Sequence, residues 1–548
     1  IYYIDNAFPN FWKEYIRRGI LRWNDAFEKI GFKNAICVKD FPLDDPEFDP
    51  DNIKYSCVRY SPSFIANAMG PSWSDPRTGE ILNASVYLYH NLVGLVRNWR
   101  FVQTAQADTD VRRKQLPTDI LGDCISYVVA HEVGHTFAFM HNMAASSSIP
   151  VDSLRSASFT NKYGTTYSIM DYARNNYVAQ PGDKEKGVRL TPPDLGIYDY
   201  FSVKWLYSPI MSAKSSEEEI PILRQWISEK LPDPAYRYGR QQIRTRIDPS
   251  SFEEDLGDDP VKASSYGVMN LKYILSQMNE WIKDDVEGDF RKEIYNEIIG
   301  QYIRYINNVL FNIGGIYVNE HYEGDPFPSY VPVTKEKQRE SLKFLWEQAL
   351  DCSWIDEPAL QKILPLHSNL SSVIENLIID YVLKRFPSVA ICGDKMEQNP
   401  YTQLDYMDDL YYYMFMVPDK KNVLSASEKN MQLKFVSYLM NGIKTVKKGS
   451  AAGTSGRMLT DERIPLPEGI VAPTYLYDGP LNHFNDPKEV MGFEDTVSVT
   501  IPVESMEHHY YSMLRKIERL AKNRMSAGSD ENRTHYRLLV YKISQSLK

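Results

Sequence analysis

The sequence predicts an α+β fold in its first part, followed by a mainly α-helical C-terminal region, and three observations carry that reading. β-rich segments and amphipathic helices alternate up to residue 140. One long helical stretch, Thr118–Met140, ends that run. Beyond Leu206 the patterning becomes almost wholly helical. At 548 residues the chain is too long for one ordinary core, so two or more domains are expected. The change near Leu206 divides it into residues 1–207 and 208–548.

Taken in order, Ile1–Ile4 is a short β-like run. Pro9–Ile30 carries Trp12, Ile16, Ile20, Trp23, Phe27 and Ile30 at helical spacing, with Gly31 as its stop. Ala35–Val38 and Lys54–Tyr60 are β-rich, separated by the acidic Pro42–Asn52 loop. That loop holds Asp44, Asp45, Asp49 and Asp51 but lacks the glycine and terminal glutamate of an EF-hand, so a solvated turn is expected there. Ala66–Met69 follows, then the turn-rich Gly70–Gly79. Leu82–His90 alternates, with Leu82, Ala84, Val86 and Leu88 on one face, as a half-buried strand does. Pro117, Thr118 and Asp119 open the long helix. Past the polar connector Ser215–Glu219, helical patterns recur at Val268–Ile282, Phe290–Ile313, Lys335–Leu350, Val373–Phe386, Ser427–Val446 and twice near the C-terminus, with a flexible loop at Lys447–Arg457.

Composition excludes several classes. Hydrophobic content of 43% and charged content of 24% belong to a globular protein. A net charge of −10 offers no basic field for nucleic acid. No apolar run is long enough to span a bilayer. The five cysteines are scattered, with no CxxC pair and no disulfide framework. The chain opens on Ile1 without a leader and reads as processed or truncated.

Chemistry concentrates in Ala130–Asn142, AHEVGHTFAFMHN. His131 and His135, four apart on a helix, project from one face, where their nitrogens can meet one zinc ion at roughly 2.0–2.1 Å. Glu132, displaced around the helix, can reach water at that metal without ligating it. A catalytic zinc takes three protein ligands and keeps one position open. For His141 to be the third, the chain must leave the helix near Ala138 and turn back. Chance yields HExxH in roughly one chain in a hundred of this composition, and with a third histidine at this offset in roughly one in several thousand. The remaining histidines (His90, His321, His367, His483, His508, His509, His535) are scattered, and the rings of adjacent His508 and His509 are expected to point apart.

These residues resemble the metzincin clan of zinc metallopeptidases, whose signature HExxHxxGxxH precedes a Met-turn. The chain departs from it at Ala138, where the clan has glycine. Ser168–Tyr172, SIMDY, resembles the Met-turn, with Met170 as the apolar floor beneath the ligands. Tyr172 matches the tyrosine that astacin-like and serralysin-like members carry, which ligates zinc at rest and then stabilises the oxyanion. The order of elements upstream is also that of a metzincin N-terminal subdomain. The resemblance therefore implies a twisted mixed sheet with an active-site helix and a C-terminal subdomain over residues 1–207. It implies an edge strand at Asn67, Ala68 and Met69 that pairs with an extended peptide substrate, and a specificity pocket between Arg174 and Leu195. The wording around Trp23–Phe32, Asp75–Ile81 and Leu190–Tyr207 is similar to secreted bacterial zinc metalloproteases with uncharacterised flanking domains, which implies a secreted, periplasmic or surface location.

The implied activity is endopeptidase: water activated by Zn2+ attacks the peptide carbonyl, Glu132 takes its proton and passes it to the departing amine, and Tyr172 assists the oxyanion. Two alternatives stay open. One is a metal-retaining but inactive protein that binds peptides or proteins. The other makes the helical C-terminal region the main function, as an interaction module.

Overall fold

In a computed structural model, the structure describes residues 1–547 apart from 243–245, 321, 367–368, 419–422, 448–463, 466, 468–505 and 527. The expected loop at Lys447–Arg457 thus lies, past Lys447, outside the described residues.

The N-terminal part is a mixed sheet of short strands: β1 (Tyr2–Ile4), β2 (Val38–Asp40), β3 (Ser56–Ser61), β4 (Ala68–Met69), β5 (Ser72–Ser74) and β6 (Ile81–Tyr89). Their order is β2-β1-β3-β6-β4, with β5 pairing β6 further along. The first four are parallel, in the register Tyr2↔Ser56 and Cys57↔Ser85, and β4 closes one edge antiparallel with Ala68↔Leu88. β6 is less one-sided than its alternation predicts: Leu82 is exposed, while Asn83 and Ser85 are buried. Asn83 is accommodated because its amide donates to the carbonyls of Ile53 and Tyr55. Gly70–Gly79 contains β5 as well as turns, and the acidic loop forms solvated Asx turns, Asp45 accepting from Glu47 N and Asp49 from Asp51 N.

Pro9–Ile30 divides into α1 (Asn10–Leu21) and α2 (Asn24–Lys29), and Trp23 at the break turns inward to donate Nε1–H to Ala130 O. Next come α3 (Leu92–Thr104), α4 (Thr118–Thr136), α5 (Ala157–Tyr163) and α6 (Ile197–Tyr207). The polar stretch at Ser215–Glu219 is a helix start and not a connector: α7 (Ser216–Ser228) places Glu217, Glu218 and Glu219 in its first turn, where they face the positive end of the dipole. The rest is mainly helical: α8 (Pro260–Trp281), α9 (Asp289–Leu310), the hairpin β7 (Ile316–Val318) and β8 (Tyr330–Pro332), α10 (Lys335–Leu350), α11 (Pro358–Gln361), α12 (Leu370–Leu383), α13 (Phe386–Asp394), α14 (Gln403–Tyr411), α15 (Ala426–Lys447), α16 (Glu507–Arg524) and α17 (Asp530–Ser546). No described helix is long and apolar enough to cross a membrane.

Among the described residues, two large apolar cores form beside two small clusters. The first joins the sheet to α1, α2 and α4 and reaches Ile169, Met170, Leu195 and Val203. The second is built on α8, α9, α10, α12 and α15, and draws in Phe101, Val111, Ile149, Leu154, Tyr177 and Val178 from the N-terminal part. α4 lies against the first core, and the loops that follow it are shared: Phe139, Ile169 and Met170 lie in the first, and Ile149, Leu154, Tyr177 and Val178 in the second. All five cysteines are free thiols.

Candidate metal centre

α4 is apolar on almost every side because the sheet, α1 and the following loops cover it. It ends at Thr136, four residues short of the expected stretch, in a hydrogen-bonded reversal. Ala138 adopts φ +64, Ala138 N–H donates to His135 O at 2.9 Å, and Phe139 N–H reaches back to Gly134 O at 3.2 Å. This pair of bonds around a left-handed residue is a Schellman C-cap. It returns the chain so that His141 faces His131 and His135.

The three imidazoles converge. His141 Nε2 lies 3.2 Å from His131 Nε2 and 3.1 Å from His135 Nε2. Each Nδ1 faces an oxygen: Ile169 O at 2.7 Å, Phe139 O at 2.8 Å and Gln241 Oε1 at 2.9 Å. A carbonyl oxygen only accepts, so each Nδ1 carries the proton and each Nε2 presents a lone pair. Burial holds His135 down to about 4, which keeps it neutral. Three lone pairs this close repel one another unless a cation lies among them. Tetrahedral ligands at about 2.05 Å from zinc stand about 3.3 Å apart, close to the spacing found. The donor set therefore fits zinc. Among the described residues it is the only group of three or more His, Cys, Asp or Glu side chains placed to share an ion. His508 and His509 are not such a site, although their rings lie 3.6 Å apart instead of diverging, brought together at the first turn of α16.

The amide of Gln241 is oriented from outside. Its Nε2 donates to Glu253 Oε1 at 3.2 Å, and Glu253 is held by Arg246 at 2.7 and 2.9 Å. The relay Arg246–Glu253–Gln241 thus fixes the His141 tautomer. It belongs to a strap, described over residues 237–242 and 246–258, that packs on the loops after α4. Asn142 bonds to Arg237 O and Gly239 N, Met143 N–H to Gly239 O, and Glu254 N–H to Tyr172 O. Sequence reasoning missed this strap because a glutamine about 100 residues from its histidine carries no motif.

Glu132 is buried beside the ligands, its Oε2 without a hydrogen-bond partner. Burial pushes its carboxyl up to about 8, with Arg174 opposing. Met170 is buried under the helix: a Cβ on Gly134 would stand 2.4 Å from its Sδ, so the helix turn between the two ligand histidines rests on the methionine. The Tyr172 ring lies 4.6 Å from that of His141 and 5.4 Å from that of His131, and the Arg174 guanidinium lies over it at 4.3 Å. Asn67, Ala68 and Met69 lie at the antiparallel edge, with Asn67 O accepting from Tyr89 N at 3.3 Å. Gly70, next in the chain, passes so close to α4 that a Cβ would stand 2.0 Å from Glu132 O.

A helix carrying two histidines and a glutamate, a third histidine returned by a tight cap, and a mixed sheet with an antiparallel edge define a metal centre on a zinc-metallopeptidase type of fold. The family model described as Met-zincin matches residues 113–422, more than half of the chain, and the chain belongs to that family. No curated protein and no solved structure matches it.

Proposed function

We propose that the protein is a zinc-dependent endopeptidase in which Glu132 is the general base. The observation that carries this reading is Glu132 itself: a buried carboxyl group with an unpartnered oxygen, next to His131 on the helix that carries two of the three converging imidazoles. His131, His135 and His141 would hold the zinc, which when bound acts as a Lewis acid that makes water a nucleophile near neutral pH and polarises a carbonyl. Glu132 accepts the proton of the attacking water and gives it to the departing amine. Tyr172, held between His141 and Arg174, donates its O–H to the developing oxyanion. Met170 supports the ligand turn, and Asn67, Ala68 and Met69 offer backbone groups to an extended peptide. We assign the metal-binding machinery to residues 1–207 and read 208–548 as a mainly helical region that supports it through the 237–258 strap. On family resemblance we read the site of action as secreted, periplasmic or cell-surface.

The test is zinc content together with cleavage of a peptide pool, for the wild type and Glu132→Gln. The reading expects one zinc per chain in both and cleavage reduced by about 10²- to 10⁴-fold in the variant. Zinc in both with cleavage in neither would favour a peptide-binding role, and absence of zinc from the wild type would overturn the metal assignment.

A further inference from the structure

A cavity of about 770 Å³ continues the metal-binding face of α4. Ile120, Cys124 and Tyr127 line it, and they precede His131 by eleven, seven and four residues, the spacing that keeps to one side of a helix. Across from them are Trp99 and Arg174, whose guanidinium lies 3.6 Å from the Trp99 ring centroid and 4.3 Å from that of Tyr172. Tyr172 also touches His141, so a single ring separates the Arg174 wall of the cavity from the three histidines.

Its charges do not balance. Arg18 pairs with Asp123, while Arg22 and Arg189 share Asp194 at 3.3 and 3.7 Å. The lining as a whole carries five guanidiniums (Arg18, Arg22, Arg100, Arg174 and Arg189) against three carboxylates (Asp25, Asp123 and Asp194); Arg100 is paired with buried Asp108 outside it, and Asp123 and Asp194 turn mostly to solvent, at 64% and 72% exposure. Asp25, also on the wall, is engaged by Lys29 and Tyr200. Deeper in, Arg174 is paired with the fully buried Glu254. Burial holds Arg22 below its ordinary range; Asp194 opposes that, and Arg18 and Arg189 add to it. Guanidiniums that outnumber their carboxylates in a walled cavity attract a further anion, and their planar forks suit a carboxylate.

We infer that this cavity receives an acidic side chain, glutamate or aspartate, of a substrate residue next to the bond to be cleaved. The word substrate rests on the peptidase reading; the preference for an anion rests on the arginine excess alone. Arg22 and Arg189 are the specificity-determining residues, and apolar Ile120, Val96 and Leu195 pack the methylenes of the side chain.

The experiment has two arms. In the first, zinc-loaded wild type digests a peptide library, the residues flanking each cut are read, and peptides differing only by Glu, Gln or Lys at the enriched position are compared. The expected result is enrichment of acidic residues at one flanking position and a kcat/KM for Glu over Gln of roughly tenfold, shrinking at high salt. Arg22→Gln and Arg189→Gln should each bring the ratio towards one, with Arg189→Lys keeping part of it. In the second arm, zinc-loaded Glu132→Gln protein binds fluorescent Glu- and Gln-containing peptides without cutting them. Thermal melts and zinc content confirm that each variant is folded; should Arg22→Gln not fold, the more exposed Arg189 carries the test. Cleavage with no acidic preference, or a preference untouched at both arginines, overturns the cavity assignment and leaves the peptidase reading standing. No cleavage of any peptide, with arginine-dependent selective binding in the second arm, supports the cavity and overturns the peptidase reading.

Discussion

Ala138 has φ +64 in the reversal that delivers His141, a conformation that costs a non-glycine residue roughly 1–2 kcal/mol. The methyl group is tolerated because the two hydrogen bonds of the cap and the His135 Nδ1–H to Phe139 O bond all require this turn. Ala138→Val adds β-branching at a left-handed residue, so denaturant melts should show a loss of about 1–3 kcal/mol together with weaker zinc binding. A variant that melts like the wild type would mean that the cap does not constrain the site. Gly134 makes a different demand, for space: Gly134→Ala drives a methyl into Met170 Sδ and the Trp23 ring, and a similar loss of about 1–3 kcal/mol is expected. The ligands were the legible part of the site, because histidines four apart on a helix have few other uses and a third at a fixed offset narrows the reading further. Trp99 and Gln241 were illegible, since each acts through a neighbour distant in sequence.

At the scale of elements, legibility follows how many sides of a segment are buried. α1 and α8 each pack one face and display the helical period openly. α3 escaped notice because both of its faces are covered: Leu92, Leu95, Val96 and Trp99 belong to the sheet core, while Phe101 and Val102 belong to the helical core. Between them lie buried Asn98, Arg100, Gln103 and Thr104, which erase the apolar stripe. The described residues of the strap (237–242 and 246–258) form no helix or strand, so no periodicity announces it. Its importance follows from its contacts with the ligand His141, with Asn142 and with Tyr172. Removing the acceptor in Gln241→Ala leaves His141 Nδ1–H without its partner and frees the ring to rotate. Chelator competition should then give a zinc affinity about 10- to 100-fold weaker, the usual effect of losing a partner that orients a metal-bound imidazole. A dissociation constant unchanged in a folded variant would show that the ring is fixed by packing against Tyr172 instead.

At the scale of the molecule, the division near residue 207 that composition suggests does not coincide with the edge of a core. Phe101, Val102, Val111, Ile149, Val151, Leu154, Tyr177 and Val178 are buried in the same cluster as α8 and α9. Charged groups cross the same boundary, since Arg174 is paired with Glu254 and Arg97 with Glu293. A fragment ending at 207 would expose that apolar set and strip the Gln241 carbonyl from His141. Fully burying one such side chain contributes about 1.5–3 kcal/mol, so uncovering even half of the eight removes on the order of 10 kcal/mol, comparable with the whole stability of a domain. Residues 1–207 expressed alone should therefore aggregate, or stay soluble without a cooperative melt, and should not retain zinc against a chelator that the full chain withstands. Calorimetry and zinc analysis of the two proteins side by side check this. A fragment that melts cooperatively and holds its zinc would make the helical region an appendage. Failure of the fragment, with the full chain intact, would make that region part of the metal centre's own scaffold.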